Sequence, residues 1–245
     1  MLKKIMNFLI FSTILTGALG AVDRNEFAGF FLQLISGNQA GTRAQGFKIT
    51  EKKGIQYLEK QDEYGTKMQY TFDRKNWFMG YELNSDVSTV KATVGMYFRN
   101  NGVAIVGVSF VVDQFGGPAS QASEIAFLEY SCAVAKGEAC SPRDVTAEIF
   151  PMLTPDYFVQ GDAAAQSAFA ERAGNKLVRF VIPRSGTTIT ASLWLSGAKG
   201  DAVVLAQDKK TLRNTECSVT WVKKKEKFEI GKCSKKIGDN LYYGN

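Results

Sequence analysis

The strictest constraint on this chain is an alternation of apolar and polar residues with a period of two, which runs through residues 47–112. It is clearest at 90–98, where every second residue from Val90 to Phe98 is apolar. Because successive side chains of a strand point to opposite faces, this pattern predicts a sheet with one buried face. Asn101-Gly102 favours a tight hairpin turn, so we expect an antiparallel meander. The candidate strands are 47–50, 55–60, 67–72, 77–83, 88–98 and 103–112.

The strand after that turn, Val103 to Val108, is apolar on both faces. Strands that are buried on both sides have this composition. We therefore expect this strand to lie centrally, with other elements packed over each face of the sheet.

Aromatic residues are concentrated at 64–81 among basic residues, a mixture that can stack bases or sugars. Pairing the strands about Arg74-Lys75 places the large apolar side chains on one face and polar ones on the other. This segregation favours a buried hairpin over a binding surface. The apolar face comprises Met68, Tyr70, Phe72, Trp77, Met79 and Tyr81, and the polar face Gln69, Thr71, Asn76 and Glu82.

Helical patterns occur at the N-terminus and in the middle of the chain. A capping motif at 23–26 precedes Phe27, Phe30, Phe31 and Leu34, which share one helix face, and Gly37 ends the pattern. Residues 119–174 are also predicted to be helical, in pieces that start at Ser120, Ser141, Thr154 and Gly161.

The first of these central pieces is expected to end at Gly137 and to turn Ile125 and Leu128 inward. The second is expected to begin with Ser141 as N-cap, Pro142 at its first position and Asp144 as a capping acid. Strands are predicted to resume at 176–182, 187–195, 201–207, 217–222 and 227–233. The predicted class is α+β, with antiparallel β-meanders, an N-terminal helix and a central helical segment.

The N-terminus has the three parts of a cleavable bacterial-type secretory signal. Lys3 and Lys4 precede an uncharged apolar stretch, 5–20, that ends in small residues and is too short to span a bilayer comfortably. We expect residues 1–20 to be removed, no transmembrane segment in the rest, and a periplasmic or secreted product. Residues 21–245 would form a single exported α+β domain, or two lobes, 21–115 and 160–245, joined by a helical segment.

Four cysteines follow the signal, and an even number in an exported chain indicates disulfides. Cys217 and Cys233 lie opposite each other if 217–222 and 227–233 pair about Lys224-Lys225, which predicts a cross-strand disulfide. Cys132 and Cys140 are then left to pair with each other.

Catalytic sites that depend on histidine are excluded, because the chain contains no histidine. Ser-His-Asp, Cys-His and histidine-ligated metal sites are therefore impossible, and no nucleotide, dinucleotide or calcium motif is present. We expect no metal and no cofactor. Ser88 to Lys91 match the S-x-x-K pattern of serine–lysine hydrolases, but Ser88 opens a predicted strand rather than a helix.

Paired carboxylates are the remaining route to catalysis without histidine. Asp144 and Glu148 would share a helix face, and Asp62 and Glu63 are adjacent near a turn. Capping and turn roles explain both pairs, so a histidine-free envelope hydrolase is the alternative rather than the main hypothesis.

The net charge is +6, and the excess that remains after signal removal lies in residues 211–245. This basic segment could bind an anionic polymer or a membrane surface, although a solvated hairpin face explains it too. Its lysines are Lys223, Lys224, Lys225, Lys227, Lys235 and Lys236. We expect a non-catalytic exported protein with a binding or structural role in the envelope or outside the cell. An envelope protein or an anionic polymer is its expected partner, with no specific nucleic-acid binding.

Overall fold

The computed structural model describes residues 24–35, 46–86, 88–114, 121–131, 141–173, 176–195 and 210–235. Several sequence predictions lie outside these residues: the signal peptide at 1–20, the first residue of the capping motif at 23–26, the helix ends at Gly37 and Gly137, the Cys132–Cys140 pair, the strand at 201–207, and the position of Lys236.

Eight antiparallel strands form one long sheet, ordered as they follow along the chain. They are β1 (Lys48–Lys52), β2 (Ile55–Gln61), β3 (Lys67–Asp73), β4 (Phe78–Asn84), β5 (Ser88–Phe98), β6 (Ala104–Gln114), β7 (Gln121–Tyr130) and β8 (Arg143–Asp144). The first six confirm the meander that the period-two pattern predicts.

A second, short sheet is made of four antiparallel strands in the order β12-β11-β10-β9. These are β9 (Lys176–Val181), β10 (Thr188–Leu195), β11 (Glu216–Val222) and β12 (Lys227–Ser234). The described helices are α1 (Arg24–Ile35), α2 (Thr146–Ile149) and α3 (Ala163–Ala173), with 3₁₀ turns at Pro155–Phe158 and Lys223–Lys225.

The prediction of an α+β fold with a central helical segment is wrong. Strands account for 55% of the structure and helices for 17%, so the protein is mainly antiparallel β. The first predicted central helix, which was to start at Ser120, is instead strand β7, paired with β6 along its whole length. Its apolar residues face both sides of the sheet: Ile125 contacts the short sheet's core and Leu128 the core under α1.

The second predicted central helix starts later than expected. Arg143 and Asp144 pair with β7 as strand β8, and α2 begins only at Thr146. Asp144 still acts as a local acceptor, because its Oδ1 accepts a hydrogen bond from the Thr146 backbone N–H at 2.9 Å. Pairing with the exposed edge of β7 therefore overrides the proline and capping signal.

Helix α1 covers one face of the long sheet, which we call the helix-covered face. Phe27, Phe30 and Phe31 are buried there, as the helical spacing predicts. Phe27 meets Phe110 edge-on at 5.1 Å between ring centroids, and Phe30 meets Tyr70 in the same way at 5.1 Å. The side chain of Leu34 lies outside the described residues.

The short sheet covers part of the opposite face, which we call the second face. Tyr97, Ile105 and Phe127 of the long sheet share one hydrophobic core with Ile189 and Phe228 of the short sheet. Gly95 of the long sheet permits this close approach, because a Cβ there would lie 2.7 Å from Ile182 Cγ2. Central strand β6 is thus covered on both faces, as its composition predicts.

Hydrogen bonds attach the edge strand β9 directly to the second face. The Ser109 hydroxyl donates to the Phe180 carbonyl at 2.6 Å, and Thr93 Oγ1 accepts from the Ile182 backbone N–H at 3.2 Å. Backbone groups at a sheet edge need partners when they are buried. These two side chains therefore fix where the short sheet sits.

Two ion-pair clusters join the sheets at their turns. Buried Asp73 accepts hydrogen bonds from Arg184 Nε at 2.7 Å and from Asn76 Nδ2 at 2.8 Å. At the other contact, Arg99 binds Glu129 of β7 and also Glu226 of the β11–β12 turn, the latter at 3.2 Å.

The β3–β4 turn differs from its predicted form. The strands pair with Phe72 opposite Met79 rather than Trp77, because the turn contains four residues, 74–77. A register shift of two leaves the faces unchanged, so Tyr70, Phe72 and Met79 are buried as expected. Trp77 instead lies in the turn and is 39% exposed, which corrects its predicted burial.

A disulfide staples strands β11 and β12. Cys217 and Cys233 are cross-strand partners with Cα atoms 4.0 Å apart. A register shift separates this pair from the pair Val219–Ile230.

Candidate ligand groove on the long sheet

The short sheet leaves the β1–β4 side of the second face open, and a depression of about 490 Å³ lies there. We call it the polar groove. It is lined by Lys48, Glu59, Lys60, Gln61, Lys67, Met68, Gln69, Glu82 and Asn84. On the other face of the sheet, Leu58 of β2, Tyr70 of β3 and Met79 of β4 share one core with α1.

One row of side chains crosses the groove perpendicular to the strands. The register places Lys48, Glu59, Gln69, Glu82 and Lys91 side by side on five consecutive strands. Gln69 Nε2 donates to Glu59 Oε1 at 2.7 Å, and Lys91 Nζ lies 3.3 Å from Glu82 Oε1. The row therefore carries donors and acceptors in turn, and two pairs of neighbours, Glu59 with Gln69 and Glu82 with Lys91, hold each other in place.

A second row lies next to the first, towards the β2–β3 turn. Asn84 Nδ2 donates to Glu82 Oε1 at 3.2 Å, and the Thr89 hydroxyl donates to Asn84 Oδ1 at 3.2 Å. Gln61 and Lys67 pair beside Asn84 in this row. The two rows thus present planar amide and carboxylate groups in two bonded sets, Glu59 with Gln69 and Glu82 with Asn84.

This arrangement suits a ligand rich in hydroxyl groups. Planar amides and carboxylates can each serve two adjacent hydroxyls, and acceptors and donors alternate at strand spacing. Tyr57 is half-buried on the same face, one row nearer the short sheet, where a ring can stack on an apolar sugar face.

The predicted anionic-partner lysines lie in two places. Lys223, Lys224 and Lys225 form the exposed β11–β12 tip, with Lys227 just after it, and Lys225 is paired with Glu229. Lys235 follows the far end of β12, about 25 Å away at the usual rise per residue. The fold therefore does not bring these lysines together into one patch.

The carboxylate pairs proposed for catalysis have structural contacts. Asp144 binds Arg24 at 3.3 Å as well as the start of α2, and Glu148 is paired with Arg143. Asp62 accepts the backbone N–H groups of Tyr64 and Thr66, both at 2.9 Å, and so holds the β2–β3 turn.

The S-x-x-K pattern is divided between two faces of the sheet. Ser88 is the first residue of β5 and is buried against Ser85, whereas Lys91 lies on the second face beside Glu82. A hydroxyl and an amine on opposite faces cannot act as a nucleophile and its base.

Within the described part of the chain, no three His, Cys, Asp or Glu side chains are grouped closely enough to hold a metal ion. The helices described there are also too short or too polar to cross a membrane.

Sequence reasoning missed the polar groove. The signal was present as a polar alternation that mirrors the apolar one: Glu59 and Gln61, Lys67 and Gln69, Glu82 and Asn84. A solvated sheet face has the same pattern. Only the position of the short sheet shows which part of that face stays open.

The fold and the groove define a class: a protein of two packed antiparallel sheets that presents a polar, open sheet face. No protein-family model matches the chain, and no curated protein matches it in sequence. A solved domain of an uncharacterized protein from Porphyromonas gingivalis W83 is similar in structure, with a TM-score of 0.51 and 14% identity. The match covers 84% of this chain and 99% of that domain. At this identity the likeness concerns the fold alone.

Proposed function

We propose that this is an exported, non-catalytic binding protein of the cell envelope or extracellular space, and that its ligand binds in the polar groove. The observation that carries the proposal is the row from Lys48 to Lys91, in which five strands present alternating donors and acceptors to solvent. A neutral saccharide chain is the ligand class that this row fits best, because it offers hydroxyls and no net charge.

The test is affinity electrophoresis of the mature protein through gels that contain neutral polysaccharides such as dextran, amylose and xyloglucan. We expect at least one of them to retard the wild type. Replacing Gln69 by Ala removes a donor and an acceptor, so affinity should fall about five- to ten-fold. Glu82→Gln should weaken binding similarly, because it disturbs the contacts to Lys91 and Asn84.

Glu171→Gln is the matched control, because it makes the same chemical change on the exposed surface of α3. It should bind as the wild type does. Absence of retardation by every polysaccharide, or equal retardation of all variants, would overturn the groove as the ligand site.

Export depends on the N-terminal signal and is tested separately. Mass spectrometry of the protein recovered from the source cells should find the mature chain beginning at residue 21 or 22. A product that retains residues 1–20 would contradict this part of the proposal.

A carbohydrate hydrolase is the second candidate, because Glu59 and Glu82 share the groove. They lie two strands apart, so their Cα atoms are separated by about 10 Å. Inverting glycosidases place two carboxylates at a comparable separation. Release of new reducing ends by the wild type but not by Glu59→Gln would favour hydrolysis over binding alone.

A further inference from the structure

One end of the molecule combines exposed aromatic rings with exposed cations. The β3–β4 turn (74–77) and the β5–β6 turn (99–103) lie at the same end of the long sheet, because Asp73, Phe78 and Gly95 are lateral neighbours. We call this region, together with the β11–β12 tip, the turn end.

The β11–β12 tip is fixed to the turn end by Glu226. Its Oε1 accepts the Asn100 backbone N–H at 2.6 Å, and its Oε2 lies 3.2 Å from Arg99 Nη1. The lysines of the tip are therefore held beside the β5–β6 turn rather than on a separate arm.

Two aromatic rings are exposed at the turn end. Trp77 is 39% exposed and Phe98 37%, and their ring centroids lie 6.0 Å apart in an edge-on contact. Among the residues that the structure describes, most large apolar side chains are buried, so an adjacent pair of exposed rings is unusual.

Exposed cations lie at the same end of the molecule as this pair, Lys75 in the turn that holds Trp77 and the tip lysines on the side of the second face, and the nearby carboxylates are already bound to arginines. Lys75, Lys223 and Lys224 are exposed and form no ion pair within the described residues. Asp73 is bonded to Arg184, and Glu226 to Arg99. The charge that the turn end offers to a partner is therefore positive.

We propose that the turn end is a peripheral contact surface for a membrane leaflet that contains anionic phospholipid. Exposed tryptophan and phenylalanine insert at the level of lipid headgroups, while lysines are attracted to anionic headgroups over about a Debye length. A soluble anionic polymer would be held by the lysines, whereas a bilayer also offers an apolar layer that both rings of the pair can enter. This inference is independent of the ligand in the polar groove.

The experiment measures binding of the mature protein to phosphatidylcholine vesicles with and without phosphatidylglycerol, at near-physiological ionic strength. We expect sedimentation with the anionic vesicles only. The variant Lys75→Gln/Lys223→Gln/Lys224→Gln should bind about 100-fold more weakly, since each lysine near such a surface contributes roughly five-fold.

Lys48→Gln/Lys67→Gln/Lys91→Gln is the matched control, because it removes the same charge from the polar groove. Its affinity for anionic vesicles should stay within about two-fold of the wild type, since salt screens distant charges. Equal losses in both triple variants would overturn the proposal, because attraction would then depend on net charge alone.

Trp77→Ala separates a membrane from a soluble polyanion. It should weaken vesicle binding several-fold and abolish part of the blue shift in tryptophan emission, yet leave binding to dextran sulfate unchanged. Vesicle binding that is unaffected by Trp77→Ala, or a wild type that binds dextran sulfate but no vesicles, would contradict the membrane assignment.

Discussion

At the scale of single residues, glycine decides how closely the two sheets approach. A Cβ on Gly95 would lie 2.7 Å from Ile182 Cγ2, a distance at which the residues around the contact must shift. We expect Gly95→Ala to lower the free energy of unfolding by about 1–3 kcal/mol, as overpacking of a core does. Urea denaturation measures this. Gly80→Ala is the control, because its nearest neighbour would be an ordinary 3.4 Å from the new methyl group. Comparable losses in both variants would contradict this account of the interface.

Asp73 is a second single residue on which the contact between the two sheets depends, in this case through polar groups. Its buried carboxylate accepts two hydrogen bonds from Asn76 and one from Arg184. Asp73→Asn should therefore cost about 2–3 kcal/mol, because a buried charge-assisted network loses its acceptor. Asp86→Asn, on the exposed surface, should change stability by less than about 0.5 kcal/mol.

The same carboxylate predicts how stability depends on pH. Burial alone would raise the pKa of Asp73, but the hydrogen bonds from Asn76 and Arg184 outweigh it and lower the pKa. A lowered native pKa favours folding above the unfolded value of about 3.9, and this contribution is lost as the pH falls below it. In urea titrations below about pH 4, the wild type should therefore lose its advantage over Asp73→Asn. If the wild type and Asp73→Asn instead differed in their free energy of unfolding by the same amount at every pH tested, the carboxylate of Asp73 would not titrate as we expect.

At the scale of elements, the β11–β12 hairpin depends on its disulfide. Cys217 and Cys233 are separated by 16 residues, and closing a loop of that length stabilises a fold by about 3 kcal/mol in the chain-entropy model. Cys217→Ala/Cys233→Ala should lower the free energy of unfolding by that amount, measured in urea without reductant. A change under about 1 kcal/mol would mean that hairpin pairing alone holds the strands together in the unfolded chain.

Local pattern predicted an element when an alternation or a turn motif marks it in the sequence. Strands β5 and β6 were placed within two residues, because alternation and the Asn101-Gly102 turn are local signals. Strand β7 was missed because Ile125 to Leu128 is apolar on both faces, which a buried helix and a buried strand share. Its pairing with β6 makes this segment a strand rather than a helix, and that pairing is a contact between segments that no local pattern reveals.

The candidate site was likewise predictable only in the part that depends on neighbouring residues in the sequence. The polar residues of β2, β3 and β4 could be assigned to one face from their spacing. That this face stays open there, and is covered over β5–β7, depends on Ser109 and Thr93 bonding to β9 about 70–90 residues later. The exposure of Trp77 likewise depends on a four-residue turn where two residues were expected.

At the scale of the whole molecule, one core joins the two sheets, which bears on whether the chain behaves as one domain or two lobes. Phe127 of the long sheet contacts Phe228 of the short sheet with ring centroids 4.6 Å apart, and Tyr97 contacts the same ring at 5.0 Å. Because unfolding either sheet exposes this shared core, we predict a single cooperative transition.

Two spectroscopic probes can test this cooperativity in one variant. Of the three tryptophans, Trp194 and Trp221 lie in the short sheet, so the fluorescence of Trp77→Phe reports on that sheet and, through the contact of Trp221 with Tyr97, on the shared core. Far-ultraviolet circular dichroism reports on the strands of both sheets. The two probes should give the same urea midpoint, and adding Gly95→Ala should shift both midpoints equally, because Gly95 lies where the sheets meet. Midpoints that separate, or a shift in one probe only, would mean that the sheets unfold independently as two lobes.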